Sequence, residues 1–70
     1  MRAHMATVYQ FEYLDPLLKR MRRSERFATE EAIRRMGGKY VPETAYDIDD
    51  EFVDDSGTVR PNNMAHATRH

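Results

Sequence analysis

The chain contains no cysteine and no tryptophan, and only twelve of its 70 residues are Leu, Ile, Val or Phe. Without cysteine there is no disulfide framework and no thiolate metal site. The missing thiols suit a reducing cytoplasm, which is the expected compartment. No apolar run is long enough to cross a bilayer as a helix, and the opening MRAHMATVYQ lacks the apolar centre of a signal peptide. The small number of large aliphatics is a mark of disorder. Its usual companion, high net charge, is absent, since the chain sums to −1. Five Met and four Tyr supply further apolar bulk. Together these features describe one small domain near the lower size limit for an independent core.

The charge is unevenly distributed. Residues 1–41 carry nine Lys/Arg and five Asp/Glu, whereas residues 42–70 carry two and seven. Such asymmetry points to a partner, to self-association, or to two zones that face each other within one fold.

The clearest local signal lies between Phe27 and Tyr46. Thr29 is placed as an N-cap, Glu30 and Glu31 follow where the helix dipole favours anions, and Arg34 and Arg35 close the last turn. Ala28, Ala32, Ile33 and Met36 share an apolar face. Gly37 or Gly38 can take the left-handed conformation that ends a helix. The spacing therefore predicts a helix near 29–36. Upstream, Thr7–Tyr13 alternates, with Tyr9, Phe11 and Tyr13 on one side, and reads as a strand with one buried face. Asp15-Pro16 has the form of an N-cap followed by proline at the first helical position. Leu14, Leu17, Leu18 and Met21 then follow helical spacing, so a helix from Pro16 is expected. Two helices separated near Ser24–Phe27 are favoured over one running to Met36.

Beyond the glycines, Lys39–Val41 suits a short strand stopped by Pro42, and Thr44–Ile48 alternates again. Phe52-Val53 and Thr58-Val59 flank Asp54-Asp55-Ser56-Gly57, a type I turn signal with a left-handed glycine. The fold class expected is α+β: a flexible 1–6, a domain over 7–60 with an N-terminal strand, one or two helices and a short β-hairpin region, and a disordered tail over 61–70.

Candidate chemistry is thin. The acidic cluster Asp47, Asp49, Asp50, Glu51, Asp54 and Asp55 fails as an EF-hand. Starting from Asp47 the turn position holds Phe52, and starting from Asp49 it holds Asp54, where glycine is required. His4, His66 and His70 fall in expected tails. The i, i+4 spacing of His66 and His70 would serve a metal only on a helix. Gly37-Gly38 is a helix stop with no phosphate-cradling pattern. No catalytic residue, cofactor or metal site is expected, and the chain is read as non-enzymatic, with no membrane partner.

Two binding readings remain. The first is a protein-interaction or regulatory module that uses surface charge and a sheet edge. Its candidate contacts are Tyr9, Phe11 and Tyr13 on an edge strand and Asp47, Asp49 and Asp54 on the acidic strip; a homodimer through the aromatic stripe is included. The second is a small nucleic-acid-binding regulator. There Lys19, Arg22, Arg23 and Arg26 would converge on one helix face, with weak, salt-sensitive binding.

Overall fold

The computed structural model describes residues 4–70. Eight strands and one helix form two antiparallel sheets in a small α+β domain: β1 Met5–Tyr9, β2 Phe11–Asp15, β3 Arg20–Arg23, β4 Phe27–Thr29, α1 Glu30–Arg35, β5 Lys39–Tyr40, β6 Tyr46–Asp49, β7 Thr58–Val59 and β8 Thr68–Arg69. The larger sheet has the order β7-β4-β1-β6-β8 and the smaller the order β3-β2-β5. The long axis is 46 Å against 21 and 19 Å across.

The helix forms where its caps place it. The Thr29 hydroxyl accepts from the Ala32 N–H at 3.2 Å, and Glu30–Arg34 and Glu31–Arg35 pair one turn apart. At the other end Gly37 N–H donates to Arg34 C=O and Gly38 N–H to Ile33 C=O. With Gly37 at φ 78°, this is a complete Schellman stop. Ala32 and Ile33 are buried, but Met36 is 51% exposed and lies off the expected apolar face. The turn signal at 54–57 is also met: Gly57 has φ 84°, its N–H donates to Asp54 C=O, and Val53 bridges Val59.

Two cores lie on opposite faces of the larger sheet. On one, Phe11, Ala28, Ala32 and Ile33 pack with Tyr9 and Tyr13. On the other, Val8, Ile48 and Val59 are covered by Phe27, Tyr46, Phe52, Val53, Met64 and Ala67. Burying two thin faces of one sheet lets a chain with few large aliphatics exclude water, because each side chain is held between layers.

Five expectations are corrected. The strand expected over Thr7–Tyr13 breaks at Gln10, where the chain passes from one sheet to the other; the Gln10 N–H is satisfied by the Thr44 hydroxyl at 2.9 Å. The helix expected from Pro16 is a hairpin. Asp15 Oδ1 accepts from the Leu17 and Leu18 N–H groups, Lys19 turns to φ 54°, and β3 returns along β2. A helix needs a surface to bury its apolar stripe, and these leucines have none. The aromatic stripe is on no sheet edge: β1 lies between β4 and β6, and β2 between β3 and β5. Residues 61–70, expected as a tail, form a 3-10 segment Pro61–His66 and then β8. β8 pairs with β6, and His66 stacks on Phe52 at 4.4 Å. Of the segment 1–6 expected to be flexible, residues 1–3 lie outside the described residues, while Met5 and Ala6 belong to β1.

Candidate functional site: the projecting β2–β3 hairpin

The three acidic candidates are engaged in holding the fold. Asp47 accepts from the Thr7 hydroxyl at 2.8 Å and faces His70 Nδ1 at 3.0 Å. The Thr7 bond first, then the His70 bond, holds its carboxyl below the usual carboxylate range. Asp49 caps the 3-10 turn Asp50–Phe52 through the Glu51 N–H. Asp54 accepts from both the N–H and hydroxyl of Ser56 and of Thr58. Those bonds, the Ser56 hydroxyl foremost, lower its pKa to about 2. A carboxylate whose lone pairs are taken by its own turn has less to offer a partner. Among the described residues no group of three or more His, Asp or Glu could hold a metal ion.

The aromatic candidates are similarly occupied. Phe11 is 8% exposed. Tyr9 packs on Tyr40 with ring centroids 4.7 Å apart, and Tyr13 lies 6.2 Å from Phe11. These rings cement the junction between the two sheets.

The basic candidates remain at the surface, in a different geometry from the one expected. Lys19 sits in the hairpin turn, Arg22 and Arg23 on β3, and Arg26 in the link to β4. Because a strand alternates its faces, Arg20 and Arg22 lie on the side of Tyr13 and Asp15, and Met21 and Arg23 on the side of Leu14 and Glu12. Four cations on one helix face are therefore replaced by cations on both faces of a ribbon. Arg22 pairs with Asp15 at 3.2 Å. The turn N–H groups of Leu18 and Leu17, together with Arg22, lower the Asp15 pKa.

What the sequence reading did not find is the apolar content of this hairpin. Leu14, Leu17, Leu18 and Met21 are 63, 91, 50 and 51% exposed. They account for most of the exposed large apolar side chains in the described residues, gathered on one projection. Asp-Pro followed by two leucines and a basic run is the signal that could have shown a turn, since Asp and Pro also favour the first two turn positions. At the hairpin base, Ser24 is buried. Its hydroxyl accepts from the Phe11 N–H at 2.9 Å and donates to Arg26 C=O at 2.8 Å, so it is held as a strut.

A groove of about 750 Å³ runs beside the base, lined by Phe11, Tyr13, Arg22, Arg26, Met36 and Gly37 among others. No protein-family model, curated protein or solved structure matches the chain. No helix among the described residues is long and apolar enough to cross a membrane.

Proposed function

We propose that the chain is a non-enzymatic protein-interaction or regulatory module whose contact surface is the β2–β3 hairpin. The observation that carries this reading is the cluster Leu14, Leu17, Leu18 and Met21, each at least half exposed, interleaved with Lys19, Arg20, Arg22 and Arg23. A small domain short of core residues gains little in its own stability from apolar side chains left half or more in water. Such clusters mark contact surfaces, where apolar area supplies affinity and the surrounding charge supplies selectivity.

Affinity capture from the native cell tests this, using the wild-type chain beside Leu17→Asp/Leu18→Asp, with and without nuclease. A protein partner that survives nuclease and is lost in the variant supports the reading. A partner retained equally by both chains refutes the hairpin as the surface, and a second copy of the chain as the sole captured species would make it a homodimer contact. The nucleic-acid alternative would now rest on the ribbon. Glu12, Asp15 and Glu25 stand among its five cations, so its binding to duplex or single strands should be weak and lost near physiological salt.

A further inference from the structure

Resting on the reading that the hairpin is the partner surface, we propose that the partner enters as an added strand: an extended acidic segment of another protein that pairs with the free edge of β3.

β3 is an edge strand, with β2 on one side and no strand of the described residues on the other, and all four of its residues are exposed. The ladder determines which backbone groups are free. Ser24 N–H donates to Phe11 C=O, and the register continues as Glu12↔Arg23, Tyr13↔Arg22, Leu14↔Met21 and Asp15↔Arg20. Bonded and non-bonded pairs alternate in an antiparallel ladder. Stepping by two from Phe11 and Ser24, Arg22 and Arg20 bond to β2. Met21 and Arg23 therefore turn their N–H and C=O groups outward. Strand addition uses such groups for affinity and the flanking side chains for selection.

The side chains define the segment that fits. An incoming antiparallel strand sets one residue opposite each of Arg23, Met21 and Arg20, and one opposite Arg22. Residues opposite Arg23 and Arg20 gain most by being acidic, since directly opposed opposite charges stabilise a pair. The residue opposite Met21 lies beside exposed Met21 and Leu14 and is apolar. The residue opposite Arg22 shares the face of Phe11 and Tyr13, beside the groove that Met36 and Arg26 also line, and is apolar or aromatic. The fitting pattern is acidic, apolar, apolar, acidic. The same charges discriminate against self-pairing, because a second β3 would set arginine against arginine. Lipid headgroups accept hydrogen bonds but do not present alternating donors and acceptors at strand spacing, so they match the outward N–H and C=O groups of Met21 and Arg23 less well than a strand does.

The test selects displayed random dodecapeptides on the full chain, then follows the enriched peptides by amide hydrogen exchange. The expected result is enrichment of acidic segments with apolar centres. In the complex the Met21 and Arg23 amides should slow at least tenfold, while the Arg20 and Arg22 amides, already bonded to β2, change little. Met21→Pro removes one outward donor without breaking the ladder to β2 and should weaken binding about tenfold, the typical loss for a missing hydrogen bond. Arg20→Glu/Arg23→Glu should abolish binding of the acidic peptides, with an unchanged β4–β1 exchange pattern showing that the fold persists. Binding that needs Leu17 and Leu18 but leaves the Met21 and Arg23 amides unprotected overturns strand addition while keeping the hairpin as a contact surface. Enrichment of basic or uncharged segments, Met21 and Arg23 protection that depends only on chain concentration, or binding to anionic vesicles alone each overturns the proposal. Failure of the capture experiment with wild-type chain would instead count against the contact surface itself.

Discussion

Gly57 tests the packing of the fold more sharply than any core residue. It holds φ 84°, and a Cβ added there would come within 2.6 Å of the Ala32 Cβ and 3.1 Å of the Thr29 hydroxyl oxygen. Gly57→Ala therefore carries two costs: a left-handed backbone for an L-residue at about 1–2 kcal/mol, and displacement of a helix against a turn at about 1–3 kcal/mol. The stiffer unfolded chain returns about 0.4–1 kcal/mol. A net loss near 3 kcal/mol is expected, a large fraction of the stability of a domain this small. Gly37 is the matched control. Its φ is 78°, but an added Cβ meets nothing within 4 Å. Gly37→Ala should lose about 1 kcal/mol, from the backbone term alone. Urea unfolding with a constant m-value reads both. The double variant Ala32→Gly/Gly57→Ala should lose less than the sum of its singles, because deleting the Ala32 Cβ opens the space that the new methyl needs. Equal losses for the two glycines, or strict additivity in that cycle, would show that the 54–58 turn does not press on the start of α1.

Three further outcomes are expected. Ile33→Ala, at a side chain with no exposed surface, should cost about 2–5 kcal/mol in the same urea assay. Because Asp54 has a folded pKa of about 2, below its unfolded value near 3.9, the unfolded chain binds more protons between the two. Its contribution is present at neutral pH and is lost as pH falls from about 5 towards 2, and Asp54→Asn should flatten the acid limb of stability against pH. Leu17→Ser/Leu18→Ser should leave the melting temperature nearly unchanged, since surface changes away from packing usually stay within about 0.5 kcal/mol. A loss of several degrees would place those leucines in the core.

The parts of the fold legible in the sequence are those whose causes are local. Thr29, the Arg34-Arg35 pair and Gly37 sit within one or two turns of what they cap, and Asp54 through Gly57 fold onto themselves. The misread parts depend on distant partners. Asp15-Pro16 begins a helix or a turn equally well, and Leu14, Leu17, Leu18 and Met21 have helical spacing by chance of a four-residue loop. A glycine in the left-handed position would have marked the turn, but Lys19 occupies it. Nothing near Thr68 announces that it pairs with Asp47. For the site, the basic residues were visible as a run, but which of them share a face depends on the strand geometry. The helical spacing of the three leucines and Met21 says nothing of their exposure, which is a tertiary property.

The strut at Ser24 makes the hairpin a lever. The Phe11 N–H and Ser24 hydroxyl bond holds its base, and the tip stands about 15 Å beyond, the length of a short strand. At that reach a swing of about 10° at the base carries the tip about 3 Å, close to the separation of successive residues along a strand. Force applied at the tip thus acts with mechanical advantage on whatever seats between β3 and the end of α1. Conversely, a change of a single ångström at the fulcrum is magnified where Leu17 and Leu18 meet solvent.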